Sequence, residues 1–225
     1  MTANRNDSVT KILFVGNSYT SRNDLPRLVA KLAATTEAPR RVVVESIVAG
    51  GASLRRHWNA GIVQQALARA TWDFVVLQEQ STLPLKSPKR YHENVRLCAA
   101  EIAKWPSRLV LYLTWARQQA PQTQEAITAA VEAIGAEVGA LVVPVGRAWD
   151  AALRDDPGLD LYVQDGSHPS VAGSYLAACT FIATLFDQRP SDTSVSDRSN
   201  IDRALAARLH AIAWRFRRSA VPQDG

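Results

Sequence analysis

An aspartate and a histidine near the end of the chain stand at positions that suit acid–base chemistry. Asp165 and His168 lie three residues apart, directly before a predicted helix. Pro169 suits the first position of that helix, because its missing N–H costs nothing there. His168 would then lie at the positive end of the helix dipole, which favours the neutral imidazole that a general base requires. Asp165 could accept a hydrogen bond from the other ring nitrogen and so fix the tautomer.

The serine that such a pair could activate is Ser18, which follows a short apolar run near the N-terminus. Gly16 lets the chain turn sharply away from that run, and Asn17 and Ser18 come next. A serine just after a strand and just before a helix is exposed above the sheet, where a nucleophile would act. Polar residues also cap helices and form turns, so this segment alone fits either role. It lacks the second glycine of the G-x-S-x-G elbow.

Two further segments follow apolar runs and could stabilise an oxyanion. Gly50 and Gly51 allow a ligand to approach the backbone closely, with an N–H directed at it; a plain turn is the alternative. The polar segment 78–81, Gln-Glu-Gln-Ser, carries side-chain amides that could donate hydrogen bonds without a change of charge. A solvent-exposed loop is the alternative there.

Five short runs predict buried parallel strands, because they are nearly continuous in Val, Ile, Leu and Phe without alternation. They cover residues 11–15, 41–48, 72–77, 108–114 and 141–145. Helical segments lie between and after them, at 24–35, 54–70, 91–104, 122–138, 147–154 and 169–186. Alternating strands and helices imply right-handed crossovers, and therefore a three-layer α/β/α sandwich with a five-stranded parallel sheet. Ligands bind beyond the carboxyl ends of such strands, where the four segments lie.

The chain is predicted to form a single domain over 1–225. Its core covers about 10–187, a polar connection 188–200, and a C-terminal amphipathic helix 201–219. The segment 81–91 after the third strand is predicted to be a long loop and a candidate lid. Cys98 and Cys179 lie in apolar helical contexts without metal or redox spacing, which predicts buried packing residues.

Composition limits the remaining classes of function. The 225 residues are 47% hydrophobic and 21% charged, as is usual for a globular protein. No apolar run approaches the length of a membrane span, and the N-terminus lacks the features of a secretory signal. We therefore expect a cytoplasmic protein without a membrane partner, although removal of a leader would leave the same sequence. The net charge of +5 includes arginines on the polar face of the last helix, so no nucleic-acid partner is expected.

Taken in order, the four segments resemble the blocks of the SGNH, or GDSL-type, hydrolase superfamily over residues 11 to about 186. The first block of that superfamily is usually Gly-Asp-Ser, whose serine is the nucleophile, and it reads Gly-Asn-Ser at 16–18. The last block, Asp-x-x-His-Pro, is matched by Asp165, His168 and Pro169. Some branches of the superfamily look similar, with GNS in the first block and LQEQS in the third.

The resemblance also implies an oxyanion hole. The second block implies a donor at the N–H of Gly50, or of its neighbour Gly51, beside the N–H of Ser18. The third block departs from the usual Gly-x-Asn-Asp and places Gln80 where the Asn would lie. Glutamine carries the same amide on one more methylene, so Gln80 is the candidate donor and Gln78 the alternative.

The resemblance implies a flavodoxin-like sheet and a serine esterase or deacylase with the catalytic residues Ser18, Asp165 and His168. Such an enzyme needs no metal or other cofactor and acts on a small-molecule or carbohydrate ester, for example an O-acetyl group. Trp115 and Arg117 follow the fourth strand and are candidate substrate-binding residues, by stacking on a sugar and by holding a carboxylate or phosphate. Ordinary packing or surface roles are equally open. A non-catalytic binding protein and a phosphate or flavin binder are the alternatives, and no oligomeric state follows.

Overall fold

The structure is a computed structural model that describes residues 9–190 and 201–217. Five strands form one parallel sheet, as the sequence predicts. Their ends differ from the predicted ends by at most two residues. The strands are β1 (Thr10–Gly16), β2 (Val42–Val48), β3 (Phe74–Leu77), β4 (Arg108–Tyr112) and β5 (Leu141–Val143). Their order in the sheet is β2-β1-β3-β4-β5.

Helices cover both faces of the sheet. They are α1 (Ser18–Ser21), α2 (Leu25–Ala33), α3 (Leu54–Asn59), α4 (Ile62–Arg69), α5 (Leu83–Lys86), α6 (Pro88–Ile102), α7 (Gln124–Glu137), α8 (Val145–Asp155), α9 (Val171–Phe186) and α10 (Arg203–Arg215). The single helix predicted at 54–70 is broken into α3 and α4, because Gly61 between them takes the left-handed conformation at φ +70°.

The prediction of a long loop at 81–91 is wrong. That segment contains α5 and the start of α6. Pro84 and Pro88 lie in the first turns of these two helices, where the missing proline N–H has no intrahelical partner to lose. The segment is therefore largely helical and does not form an extended lid.

Alternate residues of each strand enter two separate cores, because successive strand side chains point to opposite faces. Ile12 and Phe14 of β1 pack with α2, α8, α9 and α10 on one face. Leu13 and Val15 pack with α3, α4, α6 and α7 on the other. Cys98 and Cys179 are both buried and unpaired, as predicted. This three-layer packing confirms the predicted fold class.

The last described helix, α10, packs on α9 and α8. Arg208 and Arg215 on its polar face pair with Asp156 and Asp155 of the segment that ends α8, at 2.9 and 2.7 Å. Of the predicted connection 188–200, residues 191–200 lie outside the described residues, as do 218 and 219 of the predicted final helix. None of the described helices is long and apolar enough to cross a membrane.

Candidate active site

Ser18 is placed by a tight turn at the carboxyl end of β1. The turn requires glycine at position 16, because a Cβ there would lie 2.5 Å from Oγ1 of Thr20 and 2.6 Å from Oε1 of Gln78. Asn17 caps α1, its Oδ1 accepting from the N–H of Tyr19 at 3.1 Å. Ser18 is therefore the first residue of this helix, and it is partly exposed. The side chain of Asn17 therefore supports the turn.

The structure brings Ser18, His168 and Asp165 together. Oγ of Ser18 lies 2.8 Å from Nε2 of His168, and Nδ1 of His168 lies 2.6 Å from Oδ2 of Asp165. Because a carboxylate only accepts hydrogen bonds, Nδ1 carries the proton of the neutral ring and Nε2 is left to accept from the serine hydroxyl. Such a chain gives a nucleophile, a general base and a group that orients the base.

The turn around Asp165 holds its side chain as an oriented carboxylate. Oδ1 accepts from the N–H groups of His168 and Ser167, each at 2.8 Å. These bonds and the one from the His168 ring lower the pKa of Asp165 to about 2, and the N–H of His168 is the largest cause. Asp165 is therefore ionised wherever His168 could act as a base.

The turn that carries His168 differs from the prediction. Pro169 forms an isolated antiparallel bridge with Tyr162, and α9 begins only at Val171 with Ser170 as its N-cap. The prediction that Pro169 is the first helical residue is therefore wrong, because Ser170 supplies a capping hydroxyl that the N–H of Gly173 uses. The argument from the helix dipole fails with it. The hydrogen bond to the carboxylate sets the tautomer instead.

Two aromatic side chains hydrogen-bond to Ser167 and so attach this turn to the core. The hydroxyl of Tyr19 lies 2.7 Å from Oγ of Ser167, and Nε1 of Trp115 donates to the carbonyl of Ser167 at 3.0 Å. Trp115 is 1% exposed and stacks on Tyr19 and on Trp149 of α8, with ring centroids 4.9 and 3.9 Å apart. Trp115 therefore has the packing role that the sequence left open, and the prediction that it binds substrate by stacking on a sugar is wrong, because its indole is buried in the core.

Asn23 holds the same turn from the side, a role that the sequence did not reveal. Its Nδ2 lies 2.8 Å from Oγ of Ser174 and 3.0 Å from the carbonyl of Ser170. Asn23 and Asp24 both take the left-handed conformation, at φ 53° and 50°. We call the hydrogen bonds of Asn23 to Ser170 and Ser174 the clamp. Asparagine and aspartate tolerate the left-handed conformation better than most residues, and this tolerance is the one sign of the clamp in the sequence.

Gln78 is buried and holds the nucleophile turn. Its Oε1 accepts from the N–H of Asn17 and from the hydroxyl of Thr20, both at 2.9 Å. Its Nε2 donates to the carbonyl of Glu79. Gln78 is 0% exposed. The alternative in which Gln78 completes the oxyanion hole is therefore wrong, since both ends of its amide hold the protein's own backbone and side chains.

The neighbouring Glu79 is a buried carboxylate. It accepts hydrogen bonds from the N–H groups of Leu54 and Gln80 and from the side chain of Asn94. Burial raises the pKa of Glu79, while these bonds and the charge of Arg55 oppose that rise. The abrupt change from apolar strand to polar residues after β3 is thus largely a set of buried contacts and not a solvated loop.

Four donors remain uncommitted near the predicted oxyanion hole. Oε1 of Gln80 accepts from the N–H and hydroxyl of Thr82, at 3.1 and 3.0 Å, which leaves the NH2 end of this amide without an acceptor among residues 9–190 and 201–217. In the same described part of the chain, the N–H groups of Ser18, Gly50 and Gly51 have no acceptor. Gly50 and Gly51 are exposed, and Gly51 takes the left-handed conformation at φ +64°. The roles of these groups stay predictions.

Two features border the site. Arg117 is exposed on a segment whose next residue, Gln118, donates its N–H to the carbonyl of Gly166 at 2.9 Å, so Arg117 lies near the histidine turn and its role stays a prediction. A groove of about 810 Å³ lies beside the same turn, and its lining contains none of Ser18, Asp165 and His168. Polar side chains in its lining include Arg22, Asn23, Gln118, Asp160, Gln164 and Ser170.

His57, another neighbour of the site, donates from Nε2 to the carbonyl of Gly16 at 2.7 Å, and burial lowers its pKa. A neutral imidazole in that position stabilises the nucleophile turn. Across the described ranges, no group of three or more His, Cys, Asp and Glu side chains is arranged to hold a metal ion.

Comparison with solved structures defines the class of protein. A protein from Slackia heliotrinireducens, provisionally assigned to the SGNH hydrolases, is 31% identical over 79% of this chain and 100% of its own, with a TM-score of 0.67. This chain belongs to the SGNH hydrolase family. No family model matches the sequence, and no curated protein matches it.

More distant structures share the fold. A DUF4886 family protein from Bacteroides uniformis is 20% identical over 92% of this chain and 94% of its own, with a TM-score of 0.71. Axe2, an acetylxylan esterase from Geobacillus stearothermophilus, is 20% identical over 77% of this chain and 92% of its own, with a TM-score of 0.61. At these identities the similarity extends to the fold alone.

Proposed function

We propose that this protein is a serine esterase or deacylase with Ser18 as nucleophile, His168 as general base and acid, and Asp165 as the residue that orients His168. The observation that carries the proposal is the hydrogen-bonded chain from Oγ of Ser18 through the His168 ring to Asp165, at 2.8 and 2.6 Å. These side chains come from two segments far apart in the sequence. Membership of the SGNH hydrolases supports the same roles.

In the proposed reaction, Nε2 of His168 takes the hydroxyl proton of Ser18 while Oγ attacks the carbonyl carbon of an ester. The carbonyl oxygen becomes an oxyanion, which we assign to the N–H of Ser18, the N–H of Gly50 and the amide of Gln80. Collapse of this intermediate breaks the bond to the alcohol, which leaves with the proton from His168. Water then attacks the acyl-enzyme with His168 as base, and the acid departs as Ser18 regains its proton.

We propose an O-acetyl group on a carbohydrate or another small polar molecule as the substrate class. The groove beside the histidine turn supports this choice in part, because the polar half of its lining suits an alcohol part with several hydroxyl groups, while the other half is apolar. Axe2, which has the same fold, is an acetylxylan esterase. Comparing kcat/KM for acetylated xylose oligomers and for 4-nitrophenyl acetate tests the choice. A kcat/KM for a long-chain acyl ester as high as that for the acetylated oligomers would contradict it.

Labelling by a fluorophosphonate tests the nucleophile without knowledge of the natural substrate. We expect mass spectrometry to locate the label on Ser18, and 4-nitrophenyl acetate to be hydrolysed by the wild-type protein. Ser18→Ala should abolish both. Ser21→Ala is the matched control, because Ser21 is exposed on the same short helix. An unlabelled wild-type protein that releases no nitrophenol would favour the non-catalytic binding protein.

A further inference from the structure

The carboxylate of Glu79 connects two segments that the proposed oxyanion hole uses. Its Oε1 accepts from the N–H of Leu54 at 3.0 Å and from the N–H of Gln80 at 2.7 Å. Leu54 begins the helix that follows Gly50 and Gly51. Because one oxygen atom binds both backbone groups, it fixes the position of the glycine segment relative to the segment that carries Gln80.

The other oxygen of Glu79 is fixed from α6. Nδ2 of Asn94 donates to Oε2 at 2.8 Å, and Oδ1 of Asn94 accepts from Nε of Arg55 at 3.0 Å. Glu79 and Asn94 are 5% and 6% exposed. A buried carboxylate destabilises a fold unless it is hydrogen-bonded and balanced by charge. The two backbone N–H groups, the amide of Asn94 and the guanidinium of Arg55 meet that requirement here.

None of the hydrogen bonds of Glu79 goes to Ser18, His168 or Asp165, so the carboxylate takes no direct part in the proton transfers. We propose that Glu79 is a positioning residue, which holds the N–H of Gly50 and the amide of Gln80 at the separation that an oxyanion requires. This inference rests on the proposed esterase function. Donors aimed at a developing oxyanion stabilise the transition state more than the bound ester, so the effect should fall on kcat.

Glu79→Gln tests the proposal with little change of size. The new NH2 group would face the NH2 group of Asn94, and turning the amide of Asn94 over would place the same conflict at Arg55. We expect kcat for 4-nitrophenyl acetate to fall by about tenfold to a hundredfold, with KM changed by less than about twofold. The inhibition constant of a boronic acid, whose tetrahedral adduct resembles the intermediate, should rise by a similar factor.

The double variant Glu79→Gln/Asn94→Asp is the decisive rescue. It moves the carboxylate to position 94, where one oxygen can accept from the new NH2 group and the other from Arg55. The new amide oxygen at position 79 can still accept from the N–H groups of Leu54 and Gln80. We expect kcat to return to within about threefold of the wild-type value, because every donor again faces an acceptor.

Glu132→Gln is the matched control, since it removes a carboxylate that pairs with Arg147 at 2.8 Å away from this network. A wild-type kcat for Glu79→Gln, or a folded double variant as slow as the single one, would overturn the proposal. If Glu79→Gln does not fold, the kcat of the double variant decides alone. Failure of the proposed esterase function is distinguishable, because it leaves Ser18 of the wild-type protein unlabelled.

Discussion

Ser18 and His168 meet from two different kinds of structure. We call the segments 16–20, 50–54 and 78–80 the nucleophile side, and the segment 161–170 the acid–base side. On the nucleophile side, Asn17, Gln78 and Glu79 are 2, 0 and 5% exposed, and each accepts hydrogen bonds from backbone N–H groups. Here the polar network lies within the core, at the ends of neighbouring strands.

The acid–base side lies outside the sheet, and its two reacting side chains are more exposed than these three. The side chains of His168 and Asp165 are 28 and 47% exposed. The turn is attached through Ser167, which bonds to Tyr19 and Trp115, and through the amide of Asn23. The difference suggests that substitutions on the nucleophile side reduce stability and activity together, whereas those on the acid–base side reduce activity alone.

The largest expected effect is on the acid–base side. His168→Ala should lower kcat/KM for 4-nitrophenyl acetate by a factor of about 10⁴ or more, and Asp165→Asn by about 10⁴ through the wrong tautomer. The free energy of unfolding, measured in urea, should change by less than about 1 kcal/mol in each variant, because both side chains are partly exposed. Lys89→Ala, at an exposed position of α6 away from the site, serves as the control. A large loss of stability in His168→Ala would contradict the expectation that substitutions on the acid–base side reduce activity alone.

The sequence predicted the parts of the site that local chemistry marks. Continuous apolar runs predicted the five strands and hence the edge at which polar segments meet. The segment of Asp165 and His168 follows no strand, and the resemblance to the SGNH hydrolases matched these two residues with Ser18. The structure places these three side chains in one hydrogen-bonded chain.

The parts that were missed depend on contacts between distant segments. A polar run after a strand predicts donors or a loop, and only the folded structure shows that Gln78 and Glu79 are buried against Asn17 and Leu54. The direction of the Trp115 side chain likewise depends on Trp149, which the chain reaches much later. No local pattern in the sequence carries this information.

The next effect tests the nucleophile side. Gln78→Met keeps the length of the side chain but leaves the N–H of Asn17 and the hydroxyl of Thr20 without their acceptor. We expect a loss of about 1–3 kcal/mol in the free energy of unfolding, since buried groups lose their hydrogen bonds. kcat should fall with it by roughly tenfold, because the turn that holds Ser18 is released. Gln65→Met at an exposed position of α4 is the control, and a stable but inactive Gln78→Met would refute the coupling.

A smaller effect is expected at the clamp on the acid–base side. Asn23→Gly removes the amide but suits the left-handed conformation at φ 53°, whereas Asn23→Ala removes the amide and adds strain. Both should lower kcat/KM by a few-fold, because the turn around His168 is held less firmly. Only Asn23→Ala should also be destabilised, by about 1 kcal/mol relative to Asn23→Gly.

The control for this clamp is Asp24→Gly, which changes the neighbouring left-handed residue without touching the turn. Its kcat/KM should equal that of the wild-type protein. Equal activity of Asn23→Gly and wild type would show that Tyr19 and Trp115 hold the turn without help from Asn23.

The smallest expected effect concerns the dependence of stability on pH. The pKa of Asp165 is about 2 in the folded protein, chiefly because the N–H of His168 donates to it, and about 3.9 when unfolded. Because the folded value is the lower one, ionised Asp165 stabilises the fold above about pH 4, and this contribution is lost as the pH falls through 2. Solvent around the half-exposed carboxylate keeps this contribution to the free energy of unfolding below about 1 kcal/mol.

The difference in unfolding free energy between the wild-type protein and Asp165→Asn, measured in urea, should therefore shrink between pH 5 and pH 2.5. Glu125→Gln, which changes an exposed carboxylate of α7, is the control for the general effect of acid on the free energy of unfolding. A change well above 1 kcal/mol would mean that the histidine turn contributes to the stability of the core. The acid–base side would then resemble the nucleophile side, because its hydrogen bonds would stabilise the fold as well as orient His168.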